Sequence, residues 1–201
     1  RTAPRPRNAV LKSDFDSAPY WEKGHAAHGE RIESDRQAYI ELLKPLCLET
    51  LGHFQAVAGL ALDYLPGWNR ERGLLEHLAA KRESDRKSGN TSVGPHRGDL
   101  FLGIKNTPAR ERLSRGQQKL VVIALILAQA RLLATKGNMP IILIDDLPSE
   151  LDIEHQRTLL DLLDTTPSQK IITGIDEGLC NLVQKGRLFH VEHGVVTSIA
   201  S

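Results

Sequence analysis

The sequence has few cysteines, almost no net charge and no internal repeat. Cys47 and Cys180 are its only cysteines, and they lie far apart without the spacing of metal ligands or of a redox motif. We therefore expect two reduced thiols in a cytoplasmic protein. The formal net charge of +1 excludes a global attraction to nucleic acid or to an anionic membrane, so any such contact has to depend on a local patch.

The sequence also lacks a signal peptide and an uninterrupted apolar run of membrane-spanning length. The apolar run Leu120–Leu133 contains Gln129 and Arg131 and is shorter than the ~20 residues that cross a bilayer. Residue 1 is arginine and the single methionine is Met139, from which we expect a processed or truncated piece of a longer protein. We predict no membrane segment.

The chain changes character near residue 90. Before that point, amphipathic patterns predict helices over Glu30–Leu48 and Arg70–Lys87, and a short strand within Ala56–Tyr64. Pro45 is expected to bend or end the first helix, and Arg1–Arg7 is expected to be a frayed start. We therefore predict a mainly helical subdomain with one short strand over residues 1–90.

Residues 91–201 alternate between helix and strand at the spacing of βαβ units. The continuous apolar strands indicate a parallel sheet that is covered on both faces. The predicted elements are strand Leu100–Ile104, helix Gln117–Ala134, strand Ile141–Ile144, helix Ile153–Leu163, strand Lys170–Thr173 and a hairpin of Arg187–Val191 with Val195–Ile199.

The run LSRGQQK at Leu113–Lys119 predicts a helix start that can bind an anion. Ser114 suits the N-cap, and Gln117 three positions later completes a capping box. Gly116 has no side chain, so a ligand can approach the backbone closely. Free N–H groups and the positive dipole end of a buried helix together bind phosphate.

Strand Ile141–Ile144 ends in the acidic pair Asp145–Asp146. At the carboxyl end of such a strand, one carboxylate can hold Mg²⁺ on nucleotide phosphates, and a second can orient or deprotonate a water. Taken alone, the pair is better explained as a strand end before a turn. The SELD run at Ser149–Asp152 follows, with Asp152 as the candidate N-cap of the next helix.

In combination, these motifs resemble those of the ATP-binding-cassette (ABC) ATPases. LSRGQ is similar to their signature motif, IILIDD to Walker B and SELD to the D-loop. More closely, nearly the whole chain resembles the RecF family of bacterial recombination and gap-repair ATPases. The runs that carry this likeness are RPRNAVLK at Arg5–Lys12, the region of Trp21, GPHRGDL at Gly94–Leu100, LSRGQQKLVVIALILAQARLL and IILIDDLPSELD.

Three positions favour RecF over other cassette ATPases. Arg115 stands where transport-type cassettes usually carry glycine, and Asp146 where they usually carry glutamate. Gln117 stands where chromosome-structure relatives usually carry an acidic residue. The resemblance implies an α/β fold: the carboxyl-terminal, Walker B side of an ABC-type P-loop ATPase head, preceded by the small helical subdomain.

In these ATPases two heads close face to face, with ATP between one head's phosphate loop and the other's signature motif. The resemblance therefore implies that Ser114, Arg115, Gly116 and Gln117 contact nucleotide bound by the opposite protomer. It assigns Mg²⁺ to Asp145, directly or through water, and the catalytic role to Asp146. Ser149 and Asp152 would lie at the dimer seam.

Two parts of such an ATPase are missing from the sequence. No GxxxxGK[ST] run occurs, so we expect no ATP hydrolysis by this polypeptide alone. Ile175 stands where cassette ATPases usually have a switch histidine. Either Thr173 supplies a hydroxyl in its place, or turnover is slow and ATP acts mainly as a dimer clamp; we favour slow turnover.

The resemblance implies a cytoplasmic protein of recombinational DNA repair, replication-gap processing and the SOS response. It would be an ATP-dependent homodimer that binds double-stranded DNA and gap junctions and acts with RecO and RecR to load RecA. One alternative is a transport-type nucleotide-binding domain, which the short segment Asn106–Arg112 disfavours. The other is a degenerate head that only dimerises or serves as a scaffold.

Two further patterns stay open. His25 and His28 have the spacing of a metal pair but no companion ligands nearby in the sequence. His96 and Arg97 follow a Gly-Pro turn and either face DNA or nucleotide or belong to a plain strand entry.

Overall fold

A computed structural model describes residues 7–55, 57–175, 178, 182 and 186–199. Two compact units make up the chain. Unit 1 consists of Arg1–Lys44 and Gly59–Arg112, and unit 2 of Pro45–Ala58 and Leu113–Ser201.

Unit 1 contains helices and a small antiparallel sheet. Its helices are α1 (Arg7–Ser13), most of α2 (Ala18–His53), α3 (Gly73–Ser88) and α4 (Ala109–Arg112), with 3-10 turns at Phe15–Ser17, Arg70–Arg72 and Pro95–Arg97. Its sheet has the order β1-β2-β3, with strands β1 (Leu60–Leu65), β2 (Asp99–Ile104) and β3 (Thr107–Pro108).

Helix α2 continues through Pro45 to His53, so the expectation that the helix ends near the proline is wrong, whereas the alternative of a bend stays a prediction. The helix loses one backbone hydrogen bond at the proline. On either side, Leu43, Cys47 and Leu51 are fully buried, and this burial outweighs the missing bond. Burial also raises the pKa of the Cys47 thiol to about 11, which keeps it protonated and unreactive.

Strands β1 and β2 pair along their whole lengths, from Leu60 opposite Ile104 to Leu65 opposite Asp99. Because β2 follows residue 90 in the chain, unit 1 extends past the proposed domain boundary between residues 90 and 91. The division of the chain into domains at that boundary stays a prediction. The turn to β3 has positive φ at Lys105 and Asn106, as a two-residue hairpin requires.

A buried ion network joins α1, α2 and α3. Arg7 is 4% exposed and uses all five N–H donors: two to Glu22 (3.1 and 2.9 Å), and one each to Asp85 (2.7 Å), Thr91 Oγ1 (3.0 Å) and the Leu78 carbonyl (3.0 Å). Glu22 also accepts from Arg82 at 2.6 Å. Arg7, predicted to belong to a frayed start, is therefore an anchor; residues 1–6 lie outside the described part.

Unit 2 confirms the predicted alternation of helix and strand. Its elements are α5 (Arg115–Thr135), β4 (Ile141–Ile144), α6 (Leu147–Glu150), α7 (Ile153–Thr165), β5 (Gln169–Ile172), β6 (Leu188–Glu192) and β7 (Val195–Ile199). Strands β4 and β5 are parallel, as predicted, and β6 and β7 form the predicted hairpin. Its turn residues His193 and Gly194 both have positive φ.

The predicted cover on both faces of the parallel strands is absent from the described residues. Ile142 is buried, whereas Ile141 and Leu143 are 62% and 71% exposed, because alternate side chains of a strand point to opposite faces. Helix α5 was expected to be buried, but Val122 and Ile126 are about half exposed. This face of α5 and strand β4 line an apolar cleft of about 520 Å³.

Helix α5 is longer than the apolar run suggested. By length and composition alone, its 21 residues suffice to cross a membrane, although the apolar run within it is shorter and contains Gln129 and Arg131. The core helices of globular proteins meet the same criterion. In unit 2, α5 buries seven residues, and its Arg131 forms an ion pair with Glu49 at 3.0 Å.

The buried network predicts a stability difference between two matched neutralisations. We expect Glu22→Gln to lower the free energy of unfolding by about 3–5 kcal/mol, because it leaves two cations without their shared buried partner. Asp63→Asn removes an exposed pair with Lys44 and should cost at most about 1 kcal/mol. Urea unfolding of both variants measures this, and equal losses would contradict the assigned role of Glu22.

Candidate functional site

The start of α5 forms the predicted capping box. Ser114 Oγ accepts a hydrogen bond from the Gln117 backbone N–H at 3.2 Å, and Gln117 Oε1 accepts from the Ser114 backbone N–H at 3.0 Å. Gln118 Nε2 donates to the Leu113 carbonyl at 2.9 Å. These bonds fix the backbone where the helix begins, so its first N–H groups point in a defined direction.

This capped helix end leaves donors for an anion. The capping box engages the N–H groups of Ser114 and Gln117, while those of Arg115 and Gly116 have no intrahelical acceptor. A Cβ added at Gly116 would meet only Ser114 Oγ, at 4.0 Å, so the space beside the backbone is open. The Arg115 side chain is exposed and has no partner within the described ranges. The arrangement suits a phosphate.

The carboxylates lie where β4 ends, beside the end of β5. Thr173 Oγ1 donates to Asp145 Oδ1 at 2.6 Å and accepts from the Asp146 backbone N–H at 2.9 Å. The Thr173 backbone N–H donates to the Ile144 carbonyl at 2.9 Å, and its carbonyl accepts from the Leu147 N–H at 3.1 Å. The structure therefore brings Asp145, Asp146 and Thr173 together.

Asp146 has an unusual backbone and an unusual carboxylate. Its φ of 48° and ψ of 52° are the left-handed conformation, which non-glycine residues adopt rarely. Its Oδ2 accepts a short hydrogen bond from Ser149 Oγ, and its Oδ1 is buried without a hydrogen-bond partner among the described residues. A buried carboxylate oxygen without a donor is costly, and a bound water or hydroxyl would satisfy it.

The contact between Ser149 and Asp146 was missed from the sequence, which placed Ser149 at a dimer seam only. The signal was a serine three positions after an aspartate that begins a helix, the spacing at which the two side chains meet. The role of Ser149 and Asp152 at a seam stays a prediction.

Asp152 is the N-cap of α7, as predicted. Its carboxylate accepts from the His155 backbone N–H at 3.0 Å and contacts His155 Nδ1 at 2.5 Å. These hydrogen bonds from His155 hold the pKa of the Asp152 carboxyl below its usual value. Both carboxylate oxygens therefore have partners within the chain.

The oxygen atoms at the end of β4 fit Mg²⁺. Asp145 is exposed, and its Oδ2 has no partner in the described part of the chain. Carboxylate and hydroxyl oxygens are the ligands that Mg²⁺ prefers. Within the described ranges no group of three or more His, Cys, Asp or Glu could hold a metal, His25 and His28 included. Phosphate and water oxygens would have to complete the coordination at Asp145.

A family model described as RecF/RecN/SMC N terminal domain matches residues 22–197. The chain belongs to this family. It is 43% identical over 202 residues to the DNA replication and repair protein RecF of Chromohalobacter salexigens, and 41% identical over 201 residues to that of Stutzerimonas stutzeri. The alignments cover 96% of this chain and 56% and 53% of these relatives, so the chain spans about half their length.

Solved structures confirm the expected fold class. The recombination mediator protein RecF-ATP in the RecFOR pathway matches with a TM-score of 0.72 and 26% identity, over 96% of this chain and 55% of that one. Its RecF-ATPrS counterpart matches with a TM-score of 0.74 and 25% identity, over the same shares. An SMC head bound to the C-winged helix domain of ScpA has a TM-score of 0.50, 14% identity and coverage of 98% and 50%, which shows the fold alone. The chain is thus a portion of an ABC-type ATPase head, similar to RecF.

The capping geometry predicts that Ser114→Ala lowers the free energy of unfolding by about 1 kcal/mol, since the helix loses an N-cap. Ser34→Ala is the matched control, because Ser34 is exposed within α2, where alanine is the better helix former. Thermal unfolding measures both. A stability unchanged by Ser114→Ala would show that the capping box contributes nothing.

Proposed function

We propose that this chain is the signature-bearing part of an ATPase of recombinational DNA repair and replication-gap processing in the RecFOR pathway. The full protein would form an ATP-dependent homodimer that binds double-stranded DNA and gap junctions and acts in the cytoplasm with RecO and RecR to load RecA. The observation that carries this proposal is the joint presence of two half-sites. One is the capped start of α5, and the other is the cluster of Asp145, Asp146 and Thr173.

The start of α5 supports a role in binding nucleotide held by a second protomer. The free N–H groups of Arg115 and Gly116, with the Arg115 guanidinium, offer donors to a γ-phosphate. Ser114 and Gln117 act mainly by fixing these donors, since their own polar atoms hold the capping box. This arrangement explains why a residue without a side chain stands at position 116.

The carboxylates at the end of β4 support a role in ATP hydrolysis. Asp145 would hold Mg²⁺, which neutralises charge on the phosphates when bound. Asp146 Oδ1 is the atom that would accept a hydrogen bond from the attacking water and take up its proton. Ser149 and Thr173 hold Asp146 in place, one at the carboxylate and one at the backbone.

Thr173 takes the position next to the carboxylates in place of a switch histidine. A hydroxyl can orient a carboxylate or a water, but it neither carries a positive charge nor exchanges a proton near pH 7. We therefore expect slow turnover, with ATP acting mainly to hold two heads together.

DNA binding is proposed on family likeness. The relatives are named as DNA replication and repair proteins, whereas the formal net charge of this chain is only +1. A transport-type domain is the weaker proposal, because it predicts a longer helical insertion just before the signature run, and only the short strand β3 and helix α4 lie between β2 and that run.

The test uses the full-length protein that contains this chain and a phosphate-binding loop. We expect Asp146→Asn to lower DNA-stimulated ATP turnover at least about 100-fold while ATP-dependent dimerisation persists. Asp161→Asn is the matched control, since Asp161 is exposed on α7, and it should keep full turnover. Unchanged turnover in Asp146→Asn would overturn the catalytic assignment.

Ser114→Arg tests the role in trans. The added side chain would fill the space beside the Gly116 backbone, so we expect loss of ATP-dependent dimerisation in sedimentation. Ser34→Arg adds the same charge on α2 and should leave dimerisation intact. Dimers that form normally with Ser114→Arg would show that the start of α5 does not contact nucleotide.

A further inference from the structure

Unit 1 contains a cavity that the ATPase proposal does not use. Its volume is about 810 Å³, within the range of about 300–1,000 Å³ typical of small-molecule sites. Helix α2 contributes Trp21, His25 and His28 to its lining, α3 contributes Leu74, and the turn before β2 contributes His96.

The cavity is lined by basic side chains and by no acidic one. The basic lining residues are Arg7, Lys23, His25, His28 and His96. The guanidinium of Arg7 is already bound by Glu22 and Asp85. Because these two carboxylates are engaged with Arg7, they do not pair with the other basic residues of the cavity. Lys23 and His28 are exposed and have no partner in the described part of the chain. An anionic group would therefore meet the Lys23 ammonium and no carboxylate in the cavity lining.

Two of the histidines are oriented by backbone carbonyls. His25 Nδ1 donates to the Trp21 carbonyl at 3.0 Å, and His96 Nε2 donates to the Thr91 carbonyl at 2.9 Å. The other ring nitrogen of each has no partner within the described ranges.

The remaining wall is apolar and aromatic. Ile32, Leu74, Val93 and Pro95 line it, together with Tyr20, a residue that is 77% exposed. The Trp21 ring meets the Tyr20 ring edge-on at 5.8 Å, and its indole N–H has no hydrogen-bond partner among the described residues. Exposed aromatic rings beside cations are the features that bind a nucleic acid base and its phosphate.

The glycine at position 24 is a second, independent indication that the cavity holds a ligand. It lies inside α2, where glycine costs about 1 kcal/mol relative to alanine, and a Cβ added there would meet nothing within 4 Å. Packing therefore does not require this glycine, in contrast to Gly29, whose Cβ would lie 2.4 Å from Leu74 Cδ2. The residue lines the cavity, and its missing side chain keeps the space open.

We propose that this cavity binds a nucleoside monophosphate unit, with the base against the aromatic and apolar wall and the phosphate at Lys23, His25 and His28. The unit is either a free nucleotide or one nucleotide of a single strand. The site lies within unit 1 and is separate from the ATP half-sites of unit 2.

The experiment titrates the protein with AMP, adenosine, inorganic phosphate and an eight-nucleotide oligo(dA), following tryptophan fluorescence. Trp21 lines the cavity and the second tryptophan, Trp68, is buried. We expect AMP to bind at least tenfold tighter than adenosine or phosphate. Tighter binding of AMP than of oligo(dA) identifies the free nucleotide as the source, and the reverse identifies the single strand. Absence of saturable binding by both AMP and oligo(dA) overturns the proposal.

Two matched variants on one helix locate the site. Gly24→Leu should raise the melting temperature, because leucine is the better helix former, and should weaken binding of AMP and oligo(dA) at least tenfold by filling the cavity. Gly52→Leu, also on α2 with nothing within 4 Å of its added Cβ, should leave binding unchanged. Binding that survives Gly24→Leu, or is lost equally in both variants, contradicts the proposal. Ser114→Arg should not affect it, which separates this site from the ATPase proposal.

Discussion

The hydroxyl of Thr173 is the contact on which the carboxylate half-site depends. It donates to Asp145 and accepts from the backbone of Asp146, so the residues that follow the two parallel strands are joined beyond the ladder. This junction starts α6 from a residue with left-handed backbone, and α6 in turn brings Ser149 to the Asp146 carboxylate. One side-chain oxygen thereby contacts the Asp145 carboxylate directly and holds the backbone from which the Asp146 carboxylate extends.

The two half-sites of unit 2 require different partners. The start of α5 offers N–H donors and a guanidinium, which suit the negative charge of a phosphate. The end of β4 offers carboxylates, which need a cation before a phosphate can approach them. A phosphate-binding loop would have to come from outside the printed sequence. Because the phosphate donors and the carboxylates form two different half-sites, the proposed ATP hydrolysis depends on a dimer.

Local patterns in the sequence predicted the helix caps better than the burial and the long-range contacts around them. The capping box at Ser114 and the N-cap at Asp152 depend on residues three positions apart, so the sequence contains them directly. The network of Arg7 joins residues up to 84 positions apart, and no local pattern indicates it. The sequence analysis missed the exposed face of α5. An apolar run predicts that a helix is buried, but it does not show whether the residues that bury it belong to the same chain.

The most direct test of this account compares Thr173→Ser with Thr173→Val in the full-length protein, by Mg²⁺-dependent ATP turnover. The serine variant keeps the hydroxyl, and its turnover should stay within about threefold of the unchanged protein. The valine variant keeps the side-chain shape but lacks the hydroxyl, and its turnover should fall at least about tenfold because a positioning contact is lost. Equal turnover by the valine variant and the unchanged protein would contradict the central claim that this hydroxyl holds the site together.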